Sequence, residues 1–319
     1  MPRGRASAPA AGTILNALAT GVGSAFAIDA DTTATVELDV STGGDTAERA
    51  ATGSDAGVGD GVTGAITGEV AGVPDADTRL VERCVELVAA AADVSLDAAH
   101  VRTESEIPMA AGLKSSSAAA NATVLATFDA LGVRVTDDPT DEGATADAIS
   151  RVDACLLGVQ AARDAGVTVT GAFDDASASM LGGLTVTDNE QDTVLHRDTP
   201  VWEVAVWTPP EQAFSADADV ERCRAVAPMA DLAADLALGG QYGRAMTVNG
   251  LAFCAALEFP TDPLVTAMSD VTGVSLSGTG PSVVAVGDET GVETVADRWA
   301  ARAGETWLTT TKTDGGRQG

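Results

Sequence analysis

Apolar residues recur along this chain in two rhythms, one of period two and one of period three to four. Near the start, "GTILNALATGVGSAFAI" and "TTATVELDV" are apolar stretches with β-branched residues and Gly punctuation, which predicts a hairpin-like pair of strands. The next segment, "STGGDTAERAATGSDAGVGDGVTG", is rich in Gly, Ala, Thr and Asp. It predicts an exposed loop or acidic insertion at about 41–77. "DTRLVERCVELVAAAADV" sets Leu80, Cys84, Leu87, Val88 and Ala91 on one face, predicting a helix capped by Asp at its start. "AAHVRTESEIP" follows as a short strand. A further helix is predicted over "ATADAISRVDACLLGVQAARDAG", stopped by Gly166.

The second half changes style. "VTVTGAFDDASASMLGGLTVTD" has strand character on both sides of a polar turn or short helix, and "VWEVAVWTP" alternates as a strand. "VAPMADLAADLALGGQYGRAMTVNGLAFCAALEF" predicts two helices broken near Gly239 and Gly240. "GVSLSGTGPSVVAVGD" reads as strand, Gly-rich turn and strand. The helix "GVETVADRWAARAG", a last strand "TWLTT" and a frayed tail "KTDGGRQG" complete the chain. Strands and helices mixed in both halves indicate an α+β protein, divided here into domains 1–165 and 166–319.

Charge changes this picture more than composition does. The 319 residues carry 18 Lys+Arg against 47 Asp+Glu, a formal net charge of -29, and Lys114 and Lys312 are the only lysines. A surface that acidic repels nucleic acid and anionic membranes, which excludes polyanion binding as a general role. The pattern resembles proteins of salt-loving microbes. Cys84, Cys155, Cys223 and Cys254 are scattered with no CxxC pair, which favours reduced cytoplasmic thiols over a disulfide framework or metal cage. No apolar run reaches membrane-spanning length. Arg3 and Arg5 ahead of "SAFAIDA" loosely mimic a secretory signal, but Asn16 and several Thr and Gly residues interrupt the apolar stretch. His100 and His196 stand alone, as structural or exposed residues.

The chemistry concentrates in "PMAAGLKSSSAAANATVLATFDAL", beginning at Pro108. Small residues, a lysine and three serines open directly onto an Ala-rich helix. The GxxxxGK[ST] phosphate loop does not fit, because Leu113 separates Gly112 from Lys114. Two readings stand for the join: an ordinary Ser-capped helix, or a cradle whose free amides and dipole attract an anion. Lys114 either steadies a phosphate or sits exposed beside the loop.

The loop also resembles the ATP-phosphate motif PxxxGLxSSxA of the GHMP kinase superfamily. "APAAGTILN" resembles the superfamily's first motif, with Asn16-Ala17-Leu18 where Asn-Leu-Gly is usual, and "SLSGTGPSVVAV" resembles its third. Three motifs in order span residues 8 to 286. Within the superfamily, "GLKSSSAAANA" and "GVTVTGAFDDASAS…GG" are most similar to archaeal shikimate kinases. The resemblance implies an N-terminal α/β nucleotide-binding domain and a C-terminal ferredoxin-like α+β domain. It implies ATP and Mg²⁺, with Pro108, Met109, Ala110, Ala111, Gly112, Leu113, Lys114, Ser115, Ser116, Ser117 and Ala118 around the nucleotide. It places the catalytic carboxylate at Asp175, beside Asp174 and seven residues before Gly182. Homoserine kinases usually carry Asn there. The bland alternative is one more acidic turn in an acidic chain. Ser116 is the implied Mg²⁺ hydroxyl, with Ser115 and Ser117 as alternates, and Asp164 falls near the position of a metal-binding Glu. The implied reaction phosphorylates shikimate to shikimate 3-phosphate, releasing ADP, for chorismate and aromatic amino-acid biosynthesis. An Arg should meet the shikimate carboxylate, and the sequence does not identify it. Competing readings are another small alcohol, homoserine or mevalonate, and a non-catalytic nucleotide-binding member.

Overall fold

The computed structural model describes residues 1–40, 64–107, 112–137, 148–168, 171–211 and 218–319. Two long strands, β1 (Arg3–Leu15) and β2 (Val22–Val40), form an antiparallel hairpin. A hairpin is present, but not between the two predicted stretches: residues 32–37 pair with residues 3–8, and residues 24–28 pair with the end of β1. β1 begins among small residues at Arg3, and "GSAFAI" and "TTATVELDV" are parts of the one strand β2. Short β3 (Ile66–Val70) and helix α1 (Arg79–Ala91) lead to β4 (Leu96–Ser105). β3 pairs in parallel with β4, so this part of the predicted acidic insertion is sheet; 41–63 lie outside the described residues. In α1 the buried face is Leu80, Val81, Cys84, Val85, Val88 and Ala89, while Ala91 is exposed. The residue at its N-cap is Thr78, whose hydroxyl donates to Glu82; Asp77 instead binds the amide and guanidinium of Arg79.

Helix α2 (Ser115–Ala130) is buried along almost its whole length. Its alanines allow close approach on β1, where a side chain at Gly4 would come within 2.4 Å of the Ala130 amide. After the short parallel strands β5 (Arg134–Thr136) and β6 (Ala148–Ser150) comes α3 (Arg151–Asp164). It is capped by the Ser150 hydroxyl and stopped at Gly166, whose φ is +69°. Helix α4 (Phe173–Leu181) then leads into β7 (Leu184–Asp188) and β8 (Thr193–Asp198). The order β13-β1-β2-β4-β3, with β7 on β2 and β8 on β7, makes a seven-stranded sheet in which β13 is Arg317–Gln318.

The chain passes to a second sheet only after Asp198. Along the chain come β9 (Glu203–Thr208), helices α5 (Val220–Ala225), α6 (Ala227–Leu238), α7 (Tyr242–Leu257) and α8 (Asp262–Val265), β10 (Gly273–Leu276), β11 (Val283–Gly287), α9 (Glu289–Ala300) and β12 (Glu305–Thr310), the four strands forming that sheet. The antiparallel order β10-β11-β9-β12 is that of a ferredoxin-like βαββαβ unit. Both α4 and β7 belong with the first sheet, so the sheets divide between Asp198 and Glu203 and not at Gly166. The tail corrects a second expectation. Instead of fraying, it crosses back: β13 pairs with β1, and Gly316 donates its amide to the carbonyls of Ser179 and Met180. That contact fixes the end of the helix that carries the candidate carboxylates.

Candidate active site

The residue before α2 is Lys114, in a left-handed conformation at φ +64°. Lysine has no acceptor with which to cap a helix. The serines accordingly occupy the first helical turn, not the cap, and the Ser-capped reading does not describe this join. The first-turn amides project from the helix start, with the positive dipole end behind them. Ser116 is exposed there, between half-buried Ser115 and Ser117.

Gly112, at φ +72°, turns the loop against the Gly-rich segment between β10 and β11. A side-chain carbon on it would lie 2.6 Å from the carbonyl oxygens of both Ser277 and Gly280. The Ser277 hydroxyl donates to the Gly112 carbonyl at 2.8 Å. Gly278 donates its amide to Thr13 Oγ1 at 2.8 Å, and Asn16 Nδ2 donates to the Gly278 carbonyl at 2.9 Å. Asn249 Oδ1 accepts from the Asn16 amide at 2.9 Å, behind that contact. Three segments far apart in sequence thus hold one another's backbone. Leu113, almost fully buried, anchors the loop in the core cluster of Ile14 and Phe26.

Asp174 and Asp175 lie in the first turn of α4, only 4% and 8% exposed, where the helix dipole favours carboxylates. They have different environments. Asp174 accepts from Asn189 Nδ2 at 2.7 Å, and the Asn189 carbonyl oxygen in turn accepts from the Asp174 amide at 3.2 Å and the Thr187 hydroxyl at 2.7 Å. A side chain on Gly23 would lie 2.5 Å from Asp174 Oδ2, so this carboxylate is packed on β2. Asp175 meets the loop instead: Lys114 Nζ lies 2.6 Å from its Oδ1. That contact is an ion pair without an aligned hydrogen bond. Burial, and then the charge of Asp174, push the Asp175 acid up to about 7 despite the lysine. A buried carboxylate that titrates near neutrality is suited to taking a proton.

Asp164 does not join this group. Its carboxylate accepts from Arg83 Nε at 2.7 Å and Gln160 Nε2 at 2.6 Å, and it lines a cleft with Arg79, Glu82, Arg83 and Glu86. The guanidinium of Arg83 holds it below the usual carboxylate range and occupies it, so the metal role expected of it is withdrawn. Pro108, Met109, Ala110 and Ala111 lie outside the described residues. His100 pairs with Thr67 on the surface, and His196 with Tyr242. All four cysteines are buried free thiols.

The GHMP kinases N-terminal domain family matches residues 79–183, the span from α1 to the Gly-Gly after α4. A shikimate kinase of Halobacterium salinarum is 60% identical over 98% of this chain and 99% of its own length. One from Methanothrix thermoacetophila is 45% identical over 95% and 91%. The chain belongs to the shikimate kinase family, within the GHMP kinases. Among solved structures, a homoserine kinase from Cytophaga hutchinsonii superposes with a TM-score of 0.69 at 15% identity, covering 100% of this chain and 98% of that one. At that identity the likeness concerns the fold.

Within the shikimate kinase fold, Gly112, Lys114 and Asp175 come together, as do the segments of all three motifs. Asn189 was missed in the sequence, because "TDNEQD" reads as one more polar turn. Lys114 did leave a signal, its rarity, but its partner was not legible.

Proposed function

We propose that the protein transfers the terminal phosphoryl group of ATP to a hydroxyl of shikimate, giving shikimate 3-phosphate and ADP. The observation that carries the chemistry is Asp175, a buried carboxylate paired with the last residue of the loop before α2. The substrate is carried by the family, through relatives named shikimate kinase at 60% and 45% identity.

The α2 amides and the Gly112 turn receive the nucleotide phosphates. The alcohol oxygen forms its bond to the γ-phosphorus as the bond from phosphorus to the β–γ bridging oxygen breaks. The hydroxyl proton passes to Asp175, which orients the alcohol and accepts that proton as bonding advances. Asp174, tied to Asn189, holds its place beside the base and raises the base's affinity for the proton.

The residues present fit Mg²⁺ in its usual hydrated form. Among the described residues no cluster of three acidic, His or Cys side chains forms a metal cage, while the Ser116 hydroxyl is exposed at the phosphate end of α2. Ser116, flanked by Ser115 and Ser117, would give one ligand, and phosphate oxygens and water the rest. The ion when bound neutralises charge on the β- and γ-phosphates. No described helix is long and apolar enough to cross a membrane. We place the reaction in the cytoplasm on the four free thiols.

A coupled ADP-release assay in molar potassium chloride, with shikimate, homoserine and mevalonate in parallel, tests this reading. Shikimate-dependent release supports it. Release with homoserine or mevalonate alone moves the substrate, and nucleotide binding without release for any alcohol points to a binding module.

A further inference from the structure

The Lys114 ammonium occupies a place that two partners can claim. Its backbone forms the lip of the cradle, one residue ahead of the first α2 amide. Its Nζ lies over Gly278: a side-chain carbon there would come within 3.1 Å of Nζ and 3.3 Å of the Gly112 carbonyl oxygen. A glycine at 278 therefore leaves the room the ammonium uses. The lysine side chain is 10% exposed and that of Asp175 12%, so the pair is largely withdrawn from water and screening.

We propose that Lys114 is a shared cation, held by Asp175 in the free protein and transferred to the terminal phosphate when a nucleoside triphosphate enters the cradle, which releases Asp175 for the alcohol. The proposal rests on the phosphotransfer reading above, and it adds an order to it: nucleotide first, then alcohol. A terminal phosphate offers the ammonium more negative charge and more acceptor oxygens than one carboxylate does. Asp175 then loses its neutralising partner when the nucleotide binds, and the alcohol hydroxyl that follows donates to it in the lysine's place. The charged side chains that shift the Asp175 acid are Asp174, from α4 itself, and Lys114; α3 also packs on α4, but its Arg151 binds the Met180 carbonyl at the far end and its Arg163 is paired with Asp192. Removing Lys114 therefore leaves Asp175 with the repulsion of Asp174 and no side-chain cation to oppose it, only the positive end of the α4 dipole. That makes Lys114 a positioning residue with a two-state role, not a fixed brace.

The test is nucleotide affinity, measured by calorimetry in molar potassium chloride with ADP and a non-hydrolysable β,γ-imido ATP analogue. The proteins are the natural chain, Asp175→Asn, Lys114→Gln and the double variant. If Asp175 competes for the ammonium, Asp175→Asn should bind the triphosphate analogue roughly tenfold tighter, and ADP with a smaller change. In the Lys114→Gln background the same substitution should change affinity by less than about threefold, the residue of direct repulsion. Unchanged affinity in Asp175→Asn, or an equal gain with and without Lys114, overturns the shared cation while leaving the kinase reading intact. A natural chain that binds neither nucleotide overturns both. Should Asp175→Asn fail to fold, Asp175→Ser carries the same comparison.

Discussion

Asp175→Asn should make the protein more stable at pH 8 while leaving stability at pH 4 nearly unchanged. Asn resembles the protonated acid in size and charge, so Lys114 stands in the same state in the variant as beside a protonated Asp175. The cost avoided is that of ionising Asp175 inside the fold. Its acid is moved from the ordinary 3.8 up to about 7, by burial first and by Asp174 second. At about 1.4 kcal/mol per pH unit, that ionisation costs about 4 kcal/mol, an upper figure because the buried pair relaxes. The sign follows from the raised value. With the folded value above the unfolded one, the stability Asp175 contributes is complete below pH 3.8 and is lost as pH climbs through 7. The variant has nothing to lose over that interval. Urea unfolding of both proteins at pH 4.5, 6 and 8, in molar potassium chloride without nucleotide, measures the gap. It should open progressively with pH, toward a few kcal/mol at pH 8. A gap that is absent at pH 8, or equal at all three values, refutes the claim that Asp175 is a desolvated carboxylate.

Other expectations follow from the same geometry. Gly112→Val should weaken nucleotide binding with modest loss of stability: a left-handed non-glycine costs roughly 1–2 kcal/mol, and the new carbon would meet two carbonyl oxygens at 2.6 Å, forcing the loop off its seat. Unchanged ATP affinity would remove this loop from the site. Ser116→Ala should raise the Mg²⁺ concentration needed for half-maximal turnover and leave folding alone, as a Mg²⁺ titration of the rate would read. With a net charge of -29, dilution from molar salt should unfold or inactivate the protein, because the Debye length of about 3 Å at 1 M lengthens as salt is removed. A melting temperature unaffected by ionic strength contradicts that.

Much of the fold was legible where periodicity and breakers agree. Gly239 and Gly240 do separate α6 from α7, the alternation of "VWEVAVWTP" marks β9, and the strand–turn–strand reading of "GVSLSGTGPSVVAVGD" gives β10 and β11. What failed depended on tertiary partners. The start of β1 holds Ala, Gly and Ser in place of β-branched residues, because α2 packs close on it at Gly4; local propensity does not foresee that. The Gly-rich tail has no strand signal, and it is ordered by β1 and by the end of α4. In the candidate site, motif and spacing single out Gly112 and Asp175, and the structure sets Asp175 against the lysine of that same loop. The electrostatics were not. Asp174 and Asp175 look alike in "FDDAS", and they are told apart by Asn189 on one side and Lys114 on the other, both far away in sequence. Asp164 shows the converse, since spacing alone could not reveal that Arg83 already holds it.

The central claim is that Asp175 accepts the proton and Asp174 supports it from behind. The measurement that tests it most directly is kcat with saturating ATP and shikimate at pH 8 for Asp175→Asn and Asp174→Asn. Removal of a general base costs roughly 10²–10⁴-fold, so Asp175→Asn should lose turnover on that scale while still binding nucleotide. Asp174→Asn retains an oxygen for Asn189 to donate to, and should keep most of its activity. An inactive Asp174→Asn beside a nearly normal Asp175→Asn would assign the chemistry to the wrong carboxylate, and full activity in both would contradict the carboxylate mechanism itself.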